Sequence, residues 1–283
     1  MHLSKGEQGR LAAIAAKIRA DIIRMTSYVG SGHPGGCLSA VEILTVLFHR
    51  VMRIDPKNPK WVDRDRFVLS KGHAAAALYA ALIEKGFFPR EEMKSFRSIG
   101  GKLQGHPNML KVPGVDMSTG SLGHGLSVAV GMALGAKVMR KDFRVYALIG
   151  CGESQEGEIW EAAMAAAQFK LDNLIAILDN NGVQLDGNTR DIMEIEPAID
   201  KWKAFRWEVL TCDGHDIDKL VATIERAQKV NEKPSMIVAK TTKGKGVSFM
   251  ENTSAWHGVG DPALLPDALR EVESLCGSLK RNR

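Results

Sequence analysis

The chain has 283 residues, of which 45% are hydrophobic and 25% are charged, and its formal net charge is +5. This balance is typical of a globular protein with a sizeable core and excludes a disordered, highly charged chain. Scattered basic residues argue against nucleic-acid binding, and no apolar run is long enough to span a membrane. Four widely spaced cysteines and an N-terminus without an apolar signal segment predict a reducing, cytoplasmic location.

Hydrophobic periodicity predicts helices and strands that alternate along the chain. A helical period is clear over residues 7–28, where Leu11, Ile14, Ile18 and Ile22 form one stripe. Short apolar runs bounded by glycine or polar residues predict strands instead. The predicted helices span residues 7–28, 40–51, 74–85, 91–97, 124–139, 157–169, 196–204, 216–230 and 263–280. The predicted strands span residues 66–70, 143–149, 173–178, 206–211 and 235–240.

Crossover connections of this length predict an α/β fold, a mostly parallel sheet with helices on both faces. No repeat, low-complexity tract or domain boundary is evident, so residues 1–283 are interpreted as one domain. Glycine-rich loops lie at residues 30–36, 98–123 and 241–260, and long loops inside compact domains are usually functional. Ser39 is expected to cap the helix that follows the first of these loops.

Three lysines, Lys240, Lys243 and Lys245, flank the last glycine-rich loop. They are candidates for holding the loop or for attracting an anionic sugar phosphate. Solvated side chains are the default expectation for lysines in such a loop.

The segment over residues 150–181 begins with G-C-G-E, continues as an alanine-rich helix and ends in L-I-A-I-L-D-N-N. Two loops at the carboxyl ends of parallel strands would meet there. Glycines let the backbone approach a phosphate, and a helix N-terminus supplies N–H donors. The side-chain oxygen of Asn181 suits a hard cation such as Mg²⁺. The segment therefore predicts a diphosphate held through a divalent metal ion.

Four of the eight histidines, His33, His73, His106 and His257, lie in glycine-rich loops. Ligands of parallel sheets bind beyond the carboxyl ends of the strands, so we expect these loops to cluster there. Imidazoles can donate to phosphate or carbonyl oxygens and can move protons near neutral pH. A lone loop histidine is more often a surface residue, but this set is a candidate functional cluster.

Six motifs, in order along the chain, resemble the N-terminal part of transketolase. They are S-G-H-P-G-G around His33, L-S-K-G-H-A around His73, G-H-P around His106, S-T-G-S-L-G-H-G over residues 118–125, the segment over residues 150–181, and W-H-G around His257. The resemblance covers most of the chain. It implies the diphosphate domain of the thiamine diphosphate-binding fold, and transfer of a two-carbon ketol unit from a ketose to an aldose, by default sugar phosphates.

The resemblance also implies roles for individual residues. Contact with the cofactor, thiamine diphosphate, is implied for His73, Gly120, Ser121, Leu122, Gly152, Glu153, Asn181 and His257. Contact with the substrate carbonyl and hydroxyl groups, with assistance to proton transfer, is implied for His33, His106 and His257. Ligation of Mg²⁺ or another divalent cation is implied for Asn181, the carbonyl of Val183, and Cys151. Glu156 resembles an acidic residue that the family places at its subunit contact.

Two positions depart from the family pattern. Cys151 stands where the family has an aspartate metal ligand, and a thiolate is a soft donor that suits Mg²⁺ poorly. Ligation by Cys151 and an inert buried thiol are both open interpretations. His124 stands where related sequences often have glutamine, and it either alters a substrate or partner contact or has no effect.

The pyrimidine and C-terminal domains of transketolase have no counterpart in this sequence. The resemblance therefore implies the N-terminal subunit of a split transketolase, inactive alone and joined to a C-terminal subunit with both missing domains, as a heterotetramer. A thiamine-binding subunit of a 2-oxo acid dehydrogenase and deoxyxylulose phosphate synthase are alternatives. So is a degenerate, non-catalytic subunit with a damaged metal site, for which Cys151 is the best support.

Overall fold

A computed structural model describes residues 3–281, with side chains described from residue 3 to residue 274, and a five-stranded sheet lies at its centre. The strands are β1 (Arg66–Leu69), β2 (Val145–Gly150), β3 (Leu174–Asn180), β4 (Glu208–Asp213) and β5 (Ser235–Lys240). They lie in the order β1-β2-β3-β5-β4, and each neighbouring pair is parallel. The predicted α/β class and parallel sheet are therefore confirmed. Strands β2 and β4 begin two residues later than predicted.

Helices precede, connect and follow the strands. They are α1 (Lys5–Val29), α2 (Pro34–Leu38), α3 (Val41–Val46), α4 (Ala75–Lys85), α5 (His124–Val138), α6 (Gly157–Gln168), α7 (Thr189–Ile192), α8 (Ala198–Ala204), α9 (Ile217–Ala227) and α10 (Leu265–Arg281). Helix α3 continues as a π-helical turn, Leu47–Val51, and the helix predicted over residues 91–97 is a 3-10 helix, Arg90–Ser95. Helix α2 begins in the glycine-rich loop predicted over residues 30–36, and α7 lies where no element was predicted. Both helices are too short to show a helical period. Between residues 3 and 281, no helix is both long and apolar enough to cross a membrane.

Each face of the sheet has its own hydrophobic core, because successive side chains of a strand point to opposite faces. One core packs the sheet against α1–α4, α9 and α10, and includes Phe67 and Leu148. The other packs it against α5, α6 and α8, and includes Val68 and Ala147. Burial on both faces explains why the strands are almost continuous apolar runs.

Two glycines let the functional loops touch one another at the carboxyl edge of the sheet. A Cβ atom on Gly72, just after β1, would lie 2.7 Å from the hydroxyl of Thr119 in the loop before α5. A Cβ atom on Gly35, at the start of α2, would lie 2.5 Å from the carbonyl oxygen of Trp256. Any larger side chain would force these loops apart, so the glycines bring four distant segments together.

The predicted capping role of Ser39 is wrong, since the N-cap of α3 is Ala40 and no side chain caps that helix. The Ser39 hydroxyl instead donates to Oδ2 of Asp179 at 2.6 Å. This partner lies at the end of β3 and is buried. The Ser39 hydroxyl, which was expected to cap a helix, therefore joins the end of α2 to the sheet.

Candidate functional site

A cavity of about 250 Å³ opens beyond the carboxyl ends of β1, β2, β3 and β5. Its lining includes His73, Leu122, Cys151, Gly152, Glu153, Asn181, Val183, Lys243 and His257. Two larger surface depressions, of about 670 and 780 Å³, lie along α6 and α5 and are lined by other residues. We place the site at the smaller cavity, because ligands of parallel sheets bind at this edge and the predicted residues converge there.

The structure brings three of the predicted histidines together at this cavity. The ring centroid of His33 lies 5.3 Å from that of His73 and 5.5 Å from that of His257, and the last two rings stack at 5.1 Å. Burial lowers the pKa of His33 to about 4, with a further contribution from Arg97. Burial and Lys243 lower the pKa of His257 to about 3, and burial holds that of His73 well below its usual value. All three imidazoles are therefore neutral near pH 7.

His106 lies apart from the cavity lining, next to the loop that precedes α5. Its ring comes within 3.3 Å of the place where a Cβ atom on Gly120 would stand. Burial, and then Arg97, lower its pKa, although the side chain is exposed. Ser121 is also exposed, and Leu122 forms part of the cavity wall. The loop over residues 118–123 therefore contributes the Leu122 side chain to the cavity wall, and its Gly120 lies beside His106.

Lys243 is buried beside the histidines, which contradicts the default expectation of a solvated lysine. Its Nζ donates to the carbonyls of Val183 and Gln184, at 3.3 and 3.1 Å, and to Nδ1 of His257 at 2.9 Å. Because an ammonium can only donate, Nδ1 accepts and the neutral ring of His257 carries its proton on Nε2. Burial lowers the pKa of Lys243 to about 8. Of the neighbouring lysines, Lys240 is exposed and Lys245 pairs with Glu251.

A second buried lysine, Lys71, forms an ion pair with Asp179 at the end of β3. Lys71 Nζ lies 2.5 Å from Asp179 Oδ2, and the same carboxylate accepts hydrogen bonds from Ser39, Thr241 and Asn181. Burial alone would raise the pKa of Asp179, but Lys71 and these hydrogen bonds outweigh it and hold the pKa below its usual value. The sequence interpretation assigned no role to this pair. The available signal was a lysine immediately after β1 and an aspartate at the end of a central strand.

The three predicted metal ligands lie next to one another. Nδ2 of Asn181 donates to Asp179 at 3.0 Å, which turns Oδ1 of Asn181 toward Sγ of Cys151, 3.6 Å away. The Val183 N–H donates to the same Oδ1 at 3.1 Å. Burial and then Asp179 raise the pKa of the Cys151 thiol, against hydrogen bonds from nearby backbone N–H groups. Cys151 is therefore a buried, protonated thiol that faces the amide of Asn181.

Only part of this donor set suits a hard divalent cation, because the Cys151 thiol is a soft donor. It contains one thiol, one amide oxygen and one carbonyl oxygen, whereas Mg²⁺ prefers carboxylate and phosphate oxygens. Both oxygens already accept hydrogen bonds from the protein, from the Val183 N–H and from Lys243. Across the residues whose positions are described, no group of three or more His, Cys, Asp and Glu side chains is placed to hold a metal ion.

Glu153 joins three loops through its side chain, a role that the sequence interpretation missed. Its buried carboxylate accepts hydrogen bonds from the Ser70 hydroxyl at 2.5 Å, from Gly123 N at 2.9 Å and from Gly150 N at 3.0 Å. Burial raises the pKa of this carboxyl group. Residues 70 and 123 are remote in sequence, so the local pattern after β2 gave no sign of these partners. Glu153 ties the ends of β1 and β2 to the start of α5.

The two remaining positions singled out by the resemblance lie at the surface. Glu156 is exposed at the mouth of the cavity, just before α6. Nδ1 of His124, at the start of α5, lies 2.7 Å from Oε1 of Glu158 on α6. His124 thus joins two helix N-termini, and the cavity is lined by other residues.

Comparison with known proteins places this geometry in a family. Residues 11–277 match the family described as the transketolase, thiamine diphosphate binding domain. The chain belongs to the transketolase family. It is 44% identical over 266 residues to an apulose-4-phosphate transketolase subunit of Phocaeicola vulgatus, covering 94% of each chain. It is 50% identical over 231 residues to a 6-deoxy-6-sulfo-D-fructose transketolase subunit of a Clostridium species, covering 82% of this chain and 84% of the relative.

Solved transketolases have the same fold. The enzyme from Campylobacter jejuni superposes with a TM-score of 0.87 at 34% identity, covering 97% of this chain. The match spans only 43% of that transketolase, so this chain corresponds to less than half of its length. The predicted family and its cofactor, thiamine diphosphate, are confirmed. These transketolase relatives also favour the predicted function over an oxo acid dehydrogenase or a degenerate, non-catalytic protein.

Proposed function

We propose that this chain is the thiamine diphosphate-binding N-terminal subunit of a two-subunit transketolase. In this proposal it transfers a two-carbon ketol unit from a ketose phosphate to an aldose phosphate. A separate C-terminal subunit carries the pyrimidine and C-terminal domains, and two copies of each subunit form a heterotetramer. The match to the apulose-4-phosphate transketolase subunit over 94% of both chains is the observation that carries the proposal.

The cavity has features expected of a binding site for this cofactor. His33 Nδ1 and the Thr119 hydroxyl are buried polar atoms without a hydrogen-bond partner within the described part of the chain, as expected where a polar ligand binds. Gly150 and Gly152 form part of the cavity wall and add no side chains to it. Bound thiamine diphosphate would supply the electron sink for breaking and forming the carbon–carbon bond.

We assign the diphosphate group to the inner end of the cavity. His257 can donate from Nε2 because Lys243 holds its Nδ1. His73 stacks on His257, and the backbone N–H groups of Gly152 and Glu153 follow the carboxyl end of β2. In this proposal these four residues hold the diphosphate, while Gly120, Ser121 and Leu122 line the space for the two rings of the cofactor.

Three histidines at or beside the cavity are proposed to take part in proton transfer. His33, His106 and His257 are proposed to face the substrate carbonyl and hydroxyl groups. Because burial keeps their pKa values low, these rings enter the reaction neutral and can accept a proton from a hydroxyl group. Once such a ring has accepted a proton, the negative charge of the nearby diphosphate stabilises the imidazolium.

The predicted metal ligands remain part of this proposal, but they are expected to bind a divalent cation weakly. Asn181, Val183 and Cys151 are adjacent, but their atoms are a poor donor set for Mg²⁺. The same observation is the one that favours the second candidate, a non-catalytic subunit with a damaged metal site. The two candidates differ in whether the assembled complex turns over substrate.

Two further features concern the assembly and its location. Glu156 is proposed to contact the partner subunit, since it is exposed at the cavity mouth, where the missing half of the site would stand. A cytoplasmic location is proposed because Cys37, Cys151 and Cys212 are free thiols, as expected in a reducing compartment.

The deciding experiment is a ketol-transfer assay on this chain co-purified with the product of a neighbouring gene. The assay supplies thiamine diphosphate, Mg²⁺, hydroxypyruvate and a panel of aldoses, and it tests each chain alone alongside the pair. We expect activity in the pair and none in either chain alone. A stable pair that binds the cofactor but transfers no ketol unit would contradict the proposal and favour the non-catalytic subunit.

A further inference from the structure

The loop that follows β5 is held by a histidine that lies outside the cavity lining. The Thr242 N–H donates to Nε2 of His215 at 2.8 Å. The next residue of the loop is Lys243, whose Nζ donates to Nδ1 of His257 at 2.9 Å. His215 itself lies between β4 and α9. It is therefore connected to His257 through the backbone of one loop residue and the side chain of the next.

The hydrogen bonds of His215 determine which of its ring nitrogens carries the proton. Nε2 accepts from a backbone N–H, which can only donate, so Nε2 itself carries no proton. Nδ1 therefore carries the proton and donates it to Oε2 of Glu42 at 2.8 Å. Burial alone would raise the pKa of Glu42, but Arg19 and His215 outweigh it and hold the pKa below its usual value. The ionised carboxylate can only accept, which fixes the orientation of the His215 ring.

Arg19, on α1, completes this network and holds the same loop at a second point. Its Nη2 donates to Oε1 of Glu42 at 2.6 Å, and its Nε donates to the carbonyl oxygen of Lys245 at 2.9 Å. Arg19 and Glu42 are each only 7% exposed. The contacts at Thr242 and Lys245 lie on either side of Lys243. A shift of this part of the loop would leave buried polar groups without partners, which is unfavourable.

The position of Lys243 in turn determines the proton position on His257. The Val183 and Gln184 carbonyls hold Nζ of Lys243, while the buried network holds its backbone. With Nζ directed at Nδ1, the neutral His257 ring carries its proton on Nε2 and can donate from that atom. A neutral imidazole that loses such a partner can place its proton on either nitrogen.

We propose that His215 is a positioning residue for His257, which it keeps in the form that carries its proton on Nε2. It does so by fixing the loop after β5 through the Thr242 N–H, and it touches neither the cofactor nor the substrate. The inference rests on the proposed function only for its effect on ketol transfer, since the proton position on His257 is a property of this chain.

The first test is nitrogen-15 NMR of the full chain with labelled histidine, because the two ring nitrogens differ in chemical shift according to which one carries the proton. Near neutral pH we expect the proton of His215 on Nδ1 and that of His257 on Nε2. His215→Gln and His257→Asn assign the two signals, since each variant lacks one of them. A wild-type chain with the His215 proton on Nε2 would overturn the inference, whatever the variants show.

Three variants separate positioning from a purely structural role. His215→Asn keeps an amide beside Glu42 but is too short to reach the Thr242 N–H, and it should turn the His257 signal into a mixture of both proton positions. His215→Gln offers an amide oxygen to the Thr242 N–H and should restore the wild-type signal. Asp216→Asn changes the next residue, which caps α9 by accepting from the Lys219 N–H, and is the matched control. A His257 signal that is unchanged in His215→Asn would contradict the inference.

The same variants should separate kcat from KM in the complex with the partner subunit. His215→Asn should lower kcat for ketol transfer from hydroxypyruvate by about tenfold, because His257 loses its productive geometry. The KM for the aldose should change by less than about threefold, and His215→Gln should recover kcat to within about threefold of wild type. If the variants lower only the unfolding midpoint, and kcat per folded complex stays at the wild-type value, His215 is structural and the inference fails.

The two measurements distinguish failure of this inference from failure of the proposed function. A wild-type complex that transfers no ketol unit, in a chain whose His257 proton position depends on His215, would contradict the proposed function and support the inference. Ketol transfer by a chain whose His257 signal is independent of His215 would do the opposite.

Discussion

Two lysines at the same edge of the sheet have opposite surroundings. Lys71 and Lys243 are each only 2% exposed, one following β1 and the other following β5. Lys71 pairs with the carboxylate of Asp179, whereas Lys243 donates to two carbonyls and to His257. A buried charge without a counter-ion is unfavourable. Both side chains line the cavity, but Lys71 is paired with a carboxylate of the scaffold and Lys243 has no carboxylate among its described hydrogen-bond partners.

The largest expected effect comes from removing the carboxylate partner of Lys71. Asp179→Asn leaves a buried ammonium without its counter-charge and should lower the free energy of unfolding by about 3–5 kcal/mol. Urea denaturation of the purified chain measures this loss. Asp200→Asn removes an exposed carboxylate and should change stability by less than about 0.5 kcal/mol. A loss below about 1 kcal/mol in Asp179→Asn would show that the ion pair is not what stabilises this edge.

A smaller loss is expected when one hydrogen bond to the same carboxylate is removed. Ser39→Ala should lower the free energy of unfolding by about 2 kcal/mol, as for hydrogen bonds to charged groups. The same denaturation experiment measures it, with Ser27→Ala, which removes a hydroxyl bonded only to a carbonyl of its own helix, as a milder control. Combined with Asp179→Asn, the Ser39→Ala change should be clearly less than additive, because both act on one contact. Full additivity would contradict a shared network.

Replacing the unpaired lysine should affect stability least among these side chains. Lys243→Met loses three hydrogen bonds but also removes a buried charge, so the free energy of unfolding should stay within about 1 kcal/mol of wild type. Thermal and urea unfolding without ligand test this. A loss as large as that of Asp179→Asn would place Lys243 in the scaffold with Lys71 and end the distinction between them.

The mildest expected effect is a pH dependence of the free energy of unfolding, which arises from two histidines near Lys243. Burial lowers the pKa of His33 to about 4 and that of His257 to about 3, against an ordinary value of 6.5. Below pH 6.5 the unfolded chain therefore binds more protons than the folded chain, so stability falls as the pH falls toward these values. His33→Asn should reduce this slope, as measured by urea unfolding at a series of pH values. An unchanged slope would show that His33 does not titrate on unfolding.

Much of the fold follows from local sequence patterns. Helix α1 was predicted to within about two residues because its helical period is long and regular. Strand β3 was predicted equally well, since burial on both faces leaves a continuous apolar run whose length and flanking turns identify a strand. Helix α2 was missed because Pro34, Gly35 and Gly36 are ordinarily loop residues, and its five residues show no period. A helix was predicted over residues 91–97, and the structure has a 3-10 helix there, Arg90–Ser95, because so short and polar a segment does not distinguish the two helix types.

The sequence by itself determined the fold class, the family and the cofactor, because six motifs in a characteristic order are visible without knowing any contact. It also singled out the histidine loops as candidates, since ligands of parallel sheets bind beyond the carboxyl ends of the strands. Only the tertiary structure decided which side chains meet. Ser39 and Lys71 reach Asp179 across 140 and 108 residues of sequence. Those contacts, and the burial of Lys243, depend on the strand order β1-β2-β3-β5-β4, which no local periodicity specifies.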